Sequence, residues 1–165
     1  MYLTELKKIQ TFIFDVDGVF TDGSVFVNDN GDLLRTMNIR DGYATKKAVR
    51  SGLQIIVITG GNSRGVVTRL NRLGVEKVFT GVQDKIAVLD ELIDSGVVDL
   101  STTAYMGDDM PDLKIMSKVA FKCCPSDAIP EIIEIADYVS SNPGGRGCVR
   151  DVLEKWLKLN EKWGA

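Results

Sequence analysis

The amino-acid sequence predicts an α/β fold in which helices cover both faces of a parallel sheet. Short runs rich in β-branched and aromatic residues alternate along the chain with segments of helical periodicity, a pattern typical of βαβ units. The helical segments are long enough for the crossovers that parallel strands require. Polar residues also follow several of the runs directly, where a ligand site is expected at the carboxyl edge of such a sheet.

Six runs are predicted to be strands. The first, residues 11–14, is fully apolar after Thr11 and stops at Asp15, as a buried parallel strand does. The other five are residues 53–58, 77–79, 103–106, 119–121 and 138–139. Because the runs are short and separated by helical segments, we expect them to form one sheet that is buried on both faces.

Five segments between these runs are predicted to be helices. Three of them end shortly before a glycine, the residue that most often terminates a helix. These three are residues 42–50, 63–73 and 85–94, and the other two are residues 110–116 and 128–135. Each predicted helix lies between two predicted strands, so the connections fit a parallel sheet.

Two segments depart from this alternation. Residues 24–39 contain two extended runs, 25–27 and 33–39, joined by the turn-rich sequence Asn28-Asp29-Asn30-Gly31, so we expect a β-hairpin flap after the first strand. A flexible loop and a closing amphipathic helix are predicted over about residues 142–162. The apolar residues that define this helix are Val149, Val152, Leu153, Trp156 and Leu157. The whole chain, residues 1–165, is interpreted as one domain.

Composition and charge exclude several classes of protein. The 165 residues carry 20 basic and 23 acidic side chains, which give a formal net charge of -3. The chain therefore lacks the excess of basic residues that is typical of nucleic-acid-binding proteins. The longest apolar run, residues 55–58, is far shorter than a membrane span, and residues 1–11 do not resemble a signal peptide. We therefore expect a cytoplasmic protein without a nucleic-acid or membrane partner. Cys123, Cys124 and Cys148 are expected to be reduced thiols.

The chain contains no histidine. This absence excludes a Ser-His-Asp triad, a histidine general base and an imidazole metal site. Any catalysis must therefore depend on carboxylates, lysine, threonine, cysteine or a hard metal ion. Carboxylates are the first candidates.

The main functional signal is Asp15-Val16-Asp17-Gly18, which comes directly after the first predicted strand. In an extended segment, residues two apart point to the same side, so both carboxylates can face one site at the carboxyl edge of the sheet. The alternative is a solvated acidic turn, because Asp and Gly are ordinary turn residues. Taken alone, the motif does not decide between the two interpretations.

Three further polar groups follow other predicted strands and favour the site. They are Thr59-Gly60, Lys85, and Gly107-Asp108-Asp109-x-x-Asp112. Each has a structural alternative, as a helix cap or a surface charge. Together, clustered carboxylates without His or Cys ligands suit Mg²⁺. The Lys85 ammonium, the Thr59 hydroxyl and the N–H of Gly60 complement a phosphoryl group.

In order along the chain, these four motifs resemble those of the haloacid dehalogenase superfamily of phosphohydrolases. The resemblance covers nearly the whole sequence and implies a Rossmann-like parallel sheet. It implies that Asp15 is the nucleophile that forms an aspartyl-phosphate, and that Asp17 is the general acid and base. Mg²⁺ would be held by Asp15, by Asp108 and by the main-chain carbonyl of Asp17. Asp109 and Asp112 would support these ligands.

Members of this superfamily usually screen the active site with an inserted cap domain, but the short spacings between these motifs leave no room for one. Something else should close the site, and a neighbouring subunit is the economical answer. The sequence resembles one group of capless members, the 3-deoxy-D-manno-octulosonate 8-phosphate phosphatases. The resemblance lies in the hairpin, in residues 38–42 and in the late loop of residues 144–147. That resemblance implies a homotetramer in which neighbouring subunits complete the site.

The resemblance also implies a small sugar-acid phosphate as substrate, whose carboxylate needs a second basic group. Arg40, Arg64 and Arg146 are the candidates, because Arg binds carboxylates in bidentate fashion; each has the alternative of a solvated surface residue. Two other functions stay open at this point. One is hydrolysis of the homologous nine-carbon sugar-acid 9-phosphate, and the other is a receiver-like signalling module that carries a phospho-aspartate.

Overall fold

Six parallel strands form the central sheet of the protein, whose computed structural model describes residues 2–164. The strands are β1 Thr11–Phe14, β4 Gln54–Ile58, β5 Lys77–Phe79, β6 Thr103–Met106, β7 Phe121–Cys124 and β8 Tyr138–Val139. Their order across the sheet is β5-β4-β1-β6-β7-β8, and every neighbouring pair is parallel. Strand β1 lies centrally, with Phe14 opposite Val57 of β4 and Met106 of β6. The carboxyl ends of β1, β4 and β6 therefore meet at one edge.

Helices cover both faces of this sheet, as the sequence predicts. They are α1 Tyr2–Lys8, α2 Ile39–Arg50, α3 Arg64–Arg72, α4 Lys85–Asp94, α5 Met110–Met116, α6 Pro130–Ile135 and α7 Cys148–Leu159. Phe12 and Phe14 point into an apolar cluster with α1, α2, α3 and α7, whereas Ile13 points into a second cluster with α4, α5 and α6. The alternation of side chains along β1 thus divides the core into two layers.

The flap after β1 is a small antiparallel hairpin of β2 Phe26–Val27 and β3 Leu33–Leu34. Its turn is closed by Asn28, whose side-chain oxygen accepts from the N–H groups of Asn30 and Asp32. The apolar side chains of both strands are exposed. Within residues 2–164 there is no separate cap domain, so the site at the sheet edge is screened only by this hairpin and by loops.

The structure departs from the sequence prediction in the hairpin, in the strand predicted at residues 119–121 and in one additional helix. The second arm of the hairpin is shorter than residues 33–39, because the Asn38 side chain accepts from the N–H of Arg40 and thereby begins α2 at Ile39. The strand predicted at residues 119–121 lies at 121–124, because the N–H of Val119 still bonds back to Met116 at the end of α5 and the paired register with β6 begins at Phe121, opposite Ala104. Helix α1 is an addition that the sequence pattern did not indicate, since Leu6 alone in it is buried.

Two global features bear on the class of protein. None of the helices in residues 2–164 combines the length and the apolar character needed to span a bilayer. Cys123, Cys124 and Cys148 are buried free thiols, and burial raises their pKa values. A thiol with a raised pKa is a poor nucleophile, so these cysteines pack as small apolar residues in the core.

Candidate active site

The residues predicted from the four motifs meet at the carboxyl edge of the sheet. They line a cleft of about 360 Å³. Its predicted members are Asp15, Asp17, Thr59, Gly60, Lys85, Asp108 and Asp109. Asp112 lies directly behind them, and its side chain is almost fully buried. Asp15, Thr59 and Lys85 are therefore buried in the cleft and are not surface charges, whereas Asp109 is exposed and also caps a helix.

Asp15 is held at the end of β1 by the backbone. Its N–H bonds to the carbonyl of Met106, which continues the pairing of β1 with β6 past the last strand residue. One carboxylate oxygen accepts from the N–H of Val16 at 2.7 Å and lies 3.1 Å from Lys85 Nζ. Burial, together with the charge of Asp112, raises the pKa of Asp15 to about 6, and Lys85 offsets part of this effect.

Asp17 lies two residues after Asp15 in the loop that follows β1. Its side chain lines the cleft and is about one third exposed. Its carboxylate forms a bidentate salt bridge with Arg35, which donates from Nε to Oδ1 at 2.7 Å and from Nη2 to Oδ2 at 2.9 Å. Gly18 follows with a φ of 84°, a conformation that favours glycine, and a Cβ there would overlap the carboxylate of Asp108. The glycine thus lets the Asp17 loop approach the carboxylates that follow β6.

Thr59 and Gly60 follow β4 in the same way. The N–H of Thr59 donates to the carbonyl of Phe79, and the carbonyl of Thr59 accepts from the N–H of Val82. Its side chain is buried, and the hydroxyl accepts from the N–H of Gly61 at 3.2 Å. These bonds fix the loop so that the Thr59 hydroxyl hydrogen and the N–H of Gly60 remain as donors for an anion in the cleft.

Lys85 is the first residue of α4, whose N-cap is Asp84. Although it lies at a helix start, its side chain is 5% exposed and points between Asp15 and Asp112, at 3.1 and 2.6 Å. Burial alone would lower the pKa of Lys85, but the two carboxylates outweigh burial and raise that pKa. Lys85 is therefore a charged ammonium that tethers two carboxylates.

Asp112 organises the loop after β6. Its Oδ1 accepts from Lys85 and from the hydroxyl of Tyr105, both at 2.6 Å. Its Oδ2 accepts from the N–H groups of Asp108 and Asp109, at 3.0 and 3.4 Å. Asp109 in turn is the N-cap of α5 and forms a capping box with Asp112. All hydrogen-bonding capacity of Asp112 is used within the protein.

The carboxylates of Asp15, Asp108 and Asp112 provide oxygens within 4.8 Å of one another. Asp108 Oδ1 is buried, and among residues 2–164 it has no hydrogen-bond partner. Burial and the charges of Asp112 and Asp15 raise the pKa of Asp108 to about 7. Because the donors around Asp112 already occupy its oxygens, Asp15 and Asp108 are the carboxylates left to bind an ion. This all-oxygen, mutually repelling pair fits a hard divalent cation such as Mg²⁺.

The three arginines predicted to bind substrate lie outside this cleft. Arg40 and Arg146 line a second, larger cavity of about 760 Å³, and Arg64 is an exposed residue at the start of α3. Arg146 Nη2 lies 4.0 Å from a carboxylate oxygen of Asp22, in the loop that also carries Asp17. The structure therefore places two of the three arginines in one cavity and leaves all three outside the cleft that holds the four motifs.

Sequence reasoning missed two residues of the site. Tyr105 falls within the predicted strand 103–106, where it is fully buried and its hydroxyl donates to Asp112. Arg35 lies in the predicted hairpin, and nothing in its sequence neighbourhood indicates the pairing with Asp17. One signal in the sequence could have indicated Tyr105. A tyrosine in a buried strand needs a hydrogen-bond partner for its hydroxyl, and the acidic residues that follow this strand could supply one.

Comparison with known proteins identifies relatives over nearly the whole chain. The sequence pattern of the haloacid dehalogenase-like hydrolases matches residues 75–150. The 3-deoxy-D-manno-octulosonate 8-phosphate phosphatase KdsC of Salmonella typhi is 36% identical over 166 residues, which cover 98% of this chain and 88% of the relative. These relatives support the phosphatase interpretation of the four motifs over the signalling module.

Solved structures of proteins with the same name have the same fold as this chain. The 3-deoxy-D-manno-octulosonate 8-phosphate phosphatase of Yersinia pestis superposes with a TM-score of 0.94 at 32% identity, covering 98% of this chain and 88% of the other. The enzyme of the same name from Moraxella catarrhalis, solved with a magnesium ion, a phosphate ion and KDO, gives 0.93 at 31% identity, covering 98% and 93%. The chain belongs to the haloacid dehalogenase-like hydrolases, in the family of the 3-deoxy-D-manno-octulosonate 8-phosphate phosphatases.

Proposed function

We propose that this protein is a Mg²⁺-dependent phosphatase that hydrolyses 3-deoxy-D-manno-octulosonate 8-phosphate to the free sugar acid and phosphate. The observation that carries the proposal is the cleft in which Asp15 and Asp17 face Lys85 and Asp108, in a chain whose relatives carry this activity. The relative from Moraxella catarrhalis, solved with magnesium, phosphate and KDO, supports the same metal and product class.

In the proposed reaction, a carboxylate oxygen of Asp15 attacks the phosphorus atom. The bond between phosphorus and the sugar oxygen breaks, and Asp17 donates a proton to that leaving oxygen. The result is an aspartyl-phosphate on Asp15 and the free sugar acid. Lys85, the Thr59 hydroxyl and the N–H of Gly60 stabilise the negative charge on the transferring phosphoryl oxygens.

In the second half of the proposed reaction, Asp17 takes a proton from a water molecule, and the water oxygen attacks the phosphorus. The phosphorus–Asp15 bond breaks, phosphate leaves and Asp15 is regenerated as a carboxylate. Asp15, Asp108 and the carbonyl of Asp17 would hold Mg²⁺, which supplies positive charge next to the phosphoryl oxygens when bound. Asp109 and Asp112 support this arrangement, Asp112 by fixing Lys85 and the loop of Asp108.

The carboxylate pair predicts how Mg²⁺ and pH act together on stability. The pKa values of Asp15 and Asp108 are about 6 and 7 in the fold, above their ordinary value of 3.8. Between about pH 4 and 7 the metal-free folded protein therefore binds more protons than the unfolded chain. Its free energy of unfolding falls as the pH rises through that window. Because Mg²⁺ binds the ionised carboxylates, saturating Mg²⁺ should raise the melting temperature by about 5–10 °C at pH 8.

The measurement is thermal unfolding in EDTA and in Mg²⁺ at pH 5 and pH 8. At pH 5 both carboxylates are largely protonated, so the gain from Mg²⁺ should nearly vanish. Asp90→Asn, which changes an exposed carboxylate on α4, should leave the gain unchanged, whereas Asp108→Asn should remove most of it. An equal gain at both pH values would contradict the assignment of Asp15 and Asp108 as the metal ligands.

Substrate preference is tested with a panel of phosphate monoesters in Mg²⁺. We expect kcat/KM to be highest for the eight-carbon sugar-acid 8-phosphate, lower for the nine-carbon 9-phosphate and lowest for hexose phosphates. Arg40, Arg64 and Arg146 are the candidates proposed for binding the substrate carboxylate. If Arg146 is the one that does so, Arg146→Ala should raise KM for the sugar acids but not for p-nitrophenyl phosphate. Equal activity on the whole panel would leave only a general phosphatase.

We further propose a homotetramer in which a neighbouring subunit closes the active site. The support is the apolar hairpin: Phe26, Val27 and Leu34 are 69%, 61% and 52% exposed. A two-stranded hairpin with an exposed apolar surface is marginal by itself and typical of an interface. A neighbour that covered it would also supply the screen that the missing cap leaves out.

Phe26→Asp should therefore convert the assembly to smaller species and lower kcat/KM on the sugar-acid phosphate by at least about tenfold, because a buried unpaired charge opposes association. Sedimentation or light scattering measures the mass. Leu3→Asp, which places the same charge at an exposed apolar site on α1, is the control and should keep both mass and activity. A fully active monomer would refute closure by a neighbour.

A cytoplasmic location is also proposed. Three buried, unpaired thiols are typical of proteins that fold in a reducing compartment. A small anionic substrate and a net charge of -3 are consistent with the expectation that nucleic acid and membrane are not partners.

A further inference from the structure

Arg35 is a charged residue next to the cleft for which the proposed reaction has no role. It follows β3 at the base of the hairpin, and its side chain is 6% exposed. Its guanidinium donates from Nε and Nη2 to the two oxygens of Asp17, at 2.7 and 2.9 Å, and from Nη1 to the carbonyl of Leu33 at 2.9 Å. Three of the five N–H groups of the guanidinium are thus engaged within the protein, and Arg35 is not among the residues that line the cleft.

Gly61 lies against this pair. A Cβ at position 61 would lie 2.9 Å from Arg35 Nη2 and 3.0 Å from Asp17 Oδ2, closer than ordinary van der Waals contact. The φ of Gly61 is not positive, so backbone conformation does not require glycine here. What glycine provides is space: it leaves room for the guanidinium beside the carboxylate.

We propose that Arg35 is a positioning residue that orients the carboxylate of Asp17 for proton transfer, and that Gly61 provides the space this pairing requires. The inference rests on the proposed function, in which Asp17 moves the proton. It assigns the hairpin a part in catalysis, since the carbonyl of Leu33 fixes the guanidinium from the hairpin side.

The geometry explains how one contact can orient without blocking. Each carboxylate oxygen has two lone pairs, and the planar fork of Arg35 takes one from each. The fork therefore fixes the plane of the Asp17 carboxylate while leaving lone pairs free, and about a third of the side chain stays open to the cleft. Without Arg35, the remaining side-chain partner of Asp17 is the Thr21 hydroxyl, at 3.4 Å, which cannot hold the plane.

The first test is Arg35→Ala, assayed on the sugar-acid phosphate in Mg²⁺. We expect kcat to fall by about 10- to 100-fold, the range for a misplaced catalytic group, with KM changed less than about threefold. Millimolar guanidinium ion should restore part of kcat to Arg35→Ala and none to the wild type. Arg35→Lys should retain an intermediate kcat, because an ammonium supplies the charge without the fork.

The second test is a double-mutant cycle with Gly61→Ala. The added methyl group should displace the guanidinium and lower kcat in the wild-type background, yet have little further effect once Arg35 is Ala, because the two changes disrupt the same contact. Gly65→Ala is the control: it lies in α3 with no atom closer than 3.8 Å to its Cβ and should keep full activity.

The outcomes separate this inference from the proposed function. A wild-type protein inactive on every phosphate monoester overturns the proposed function and this inference with it. A wild type that is active overturns this inference alone if Arg35→Ala keeps its kcat, if guanidinium ion gives no recovery, or if Gly61→Ala and Arg35→Ala lower kcat independently. Recovery together with non-additivity supports it, because a merely structural defect would not respond to a small ion.

Discussion

Asp15→Asn is expected to lower Mg²⁺-dependent phosphatase turnover by about 10⁴-fold or more, the scale on which loss of a nucleophile acts. The substitution preserves volume but replaces the attacking oxygen with an amide. Asp15 lines the cleft, 3.1 Å from Lys85, and the nearby Asp112 is fully engaged in hydrogen bonds within the protein. Steady-state assays on the sugar-acid phosphate and on p-nitrophenyl phosphate measure the loss, which should be equally severe on both.

The same substitution should leave the fold intact or make it more stable in the absence of metal. Burial and Asp112 raise the pKa of Asp15, which means that its negative charge is unfavourable at neutral pH. Lys85 would keep its ion pair with Asp112, at 2.6 Å. Thermal unfolding in EDTA at pH 8 should therefore show an unchanged or higher midpoint, with Asp90→Asn as the control. Retained Mg²⁺-dependent turnover in Asp15→Asn would sink the assignment of the nucleophile.

Much of this site could be predicted because its residues follow strands. Parallel strands end at a common edge, so polar residues directly after β1, β4 and β6 are brought together whatever the intervening helices do. Thr59 and Asp108 illustrate this: they are 49 residues apart in the sequence and line the same cleft. The sheet could be predicted because each strand and helix has its own pattern of apolar residues along the sequence.

Residues whose role depends on a non-local backbone path could not be predicted in this way. Arg35 reaches Asp17 only because the hairpin folds back over the Asp17 loop, and one Arg in a short extended run carries no periodic signal. Asp41 is a second example: it is fully buried and accepts from the N–H of Arg150 at 2.7 Å, which helps to start α7 from a different helix. Its partner is 109 residues away.

Element boundaries were missed where a local contact overrides a pattern. Ile39 looks like the end of an extended arm, yet the cap supplied by Asn38 places it at the first position of α2. Val119 has the composition of a strand residue, but its N–H bonds to the carbonyl of Met116, the last residue of α5, before β7 begins. Propensity is a weak prior at such points, because a single hydrogen bond to a cap or turn decides the boundary.

Lys85→Met should cause the largest loss of stability of any single surface or site change proposed for this protein. The ammonium is nearly buried between Asp15 and Asp112, so its removal leaves two buried carboxylates without their counter-charge. Breaking a buried pair by removing one partner typically costs about 3–5 kcal/mol. Met preserves most of the side-chain volume, so the loss reports charge rather than a cavity. Turnover should fall as well, since the proposed transition-state charge loses its ammonium.

Urea denaturation in EDTA measures this cost, and Lys118→Met is the matched control. Lys118 pairs with Asp90 at 3.0 Å on the surface, where both side chains are about half exposed, so its loss should cost less than about 1 kcal/mol. The destabilisation by Lys85→Met should shrink between pH 8 and pH 5. Asp15 has a pKa of about 6 with Lys85 present, and removing the ammonium raises it further, so at pH 5 the carboxyl is neutral and needs no partner. If Lys85→Met proved no more costly than Lys118→Met at pH 8, the ion pairs of Lys85 with Asp15 and Asp112 would not stabilise the fold.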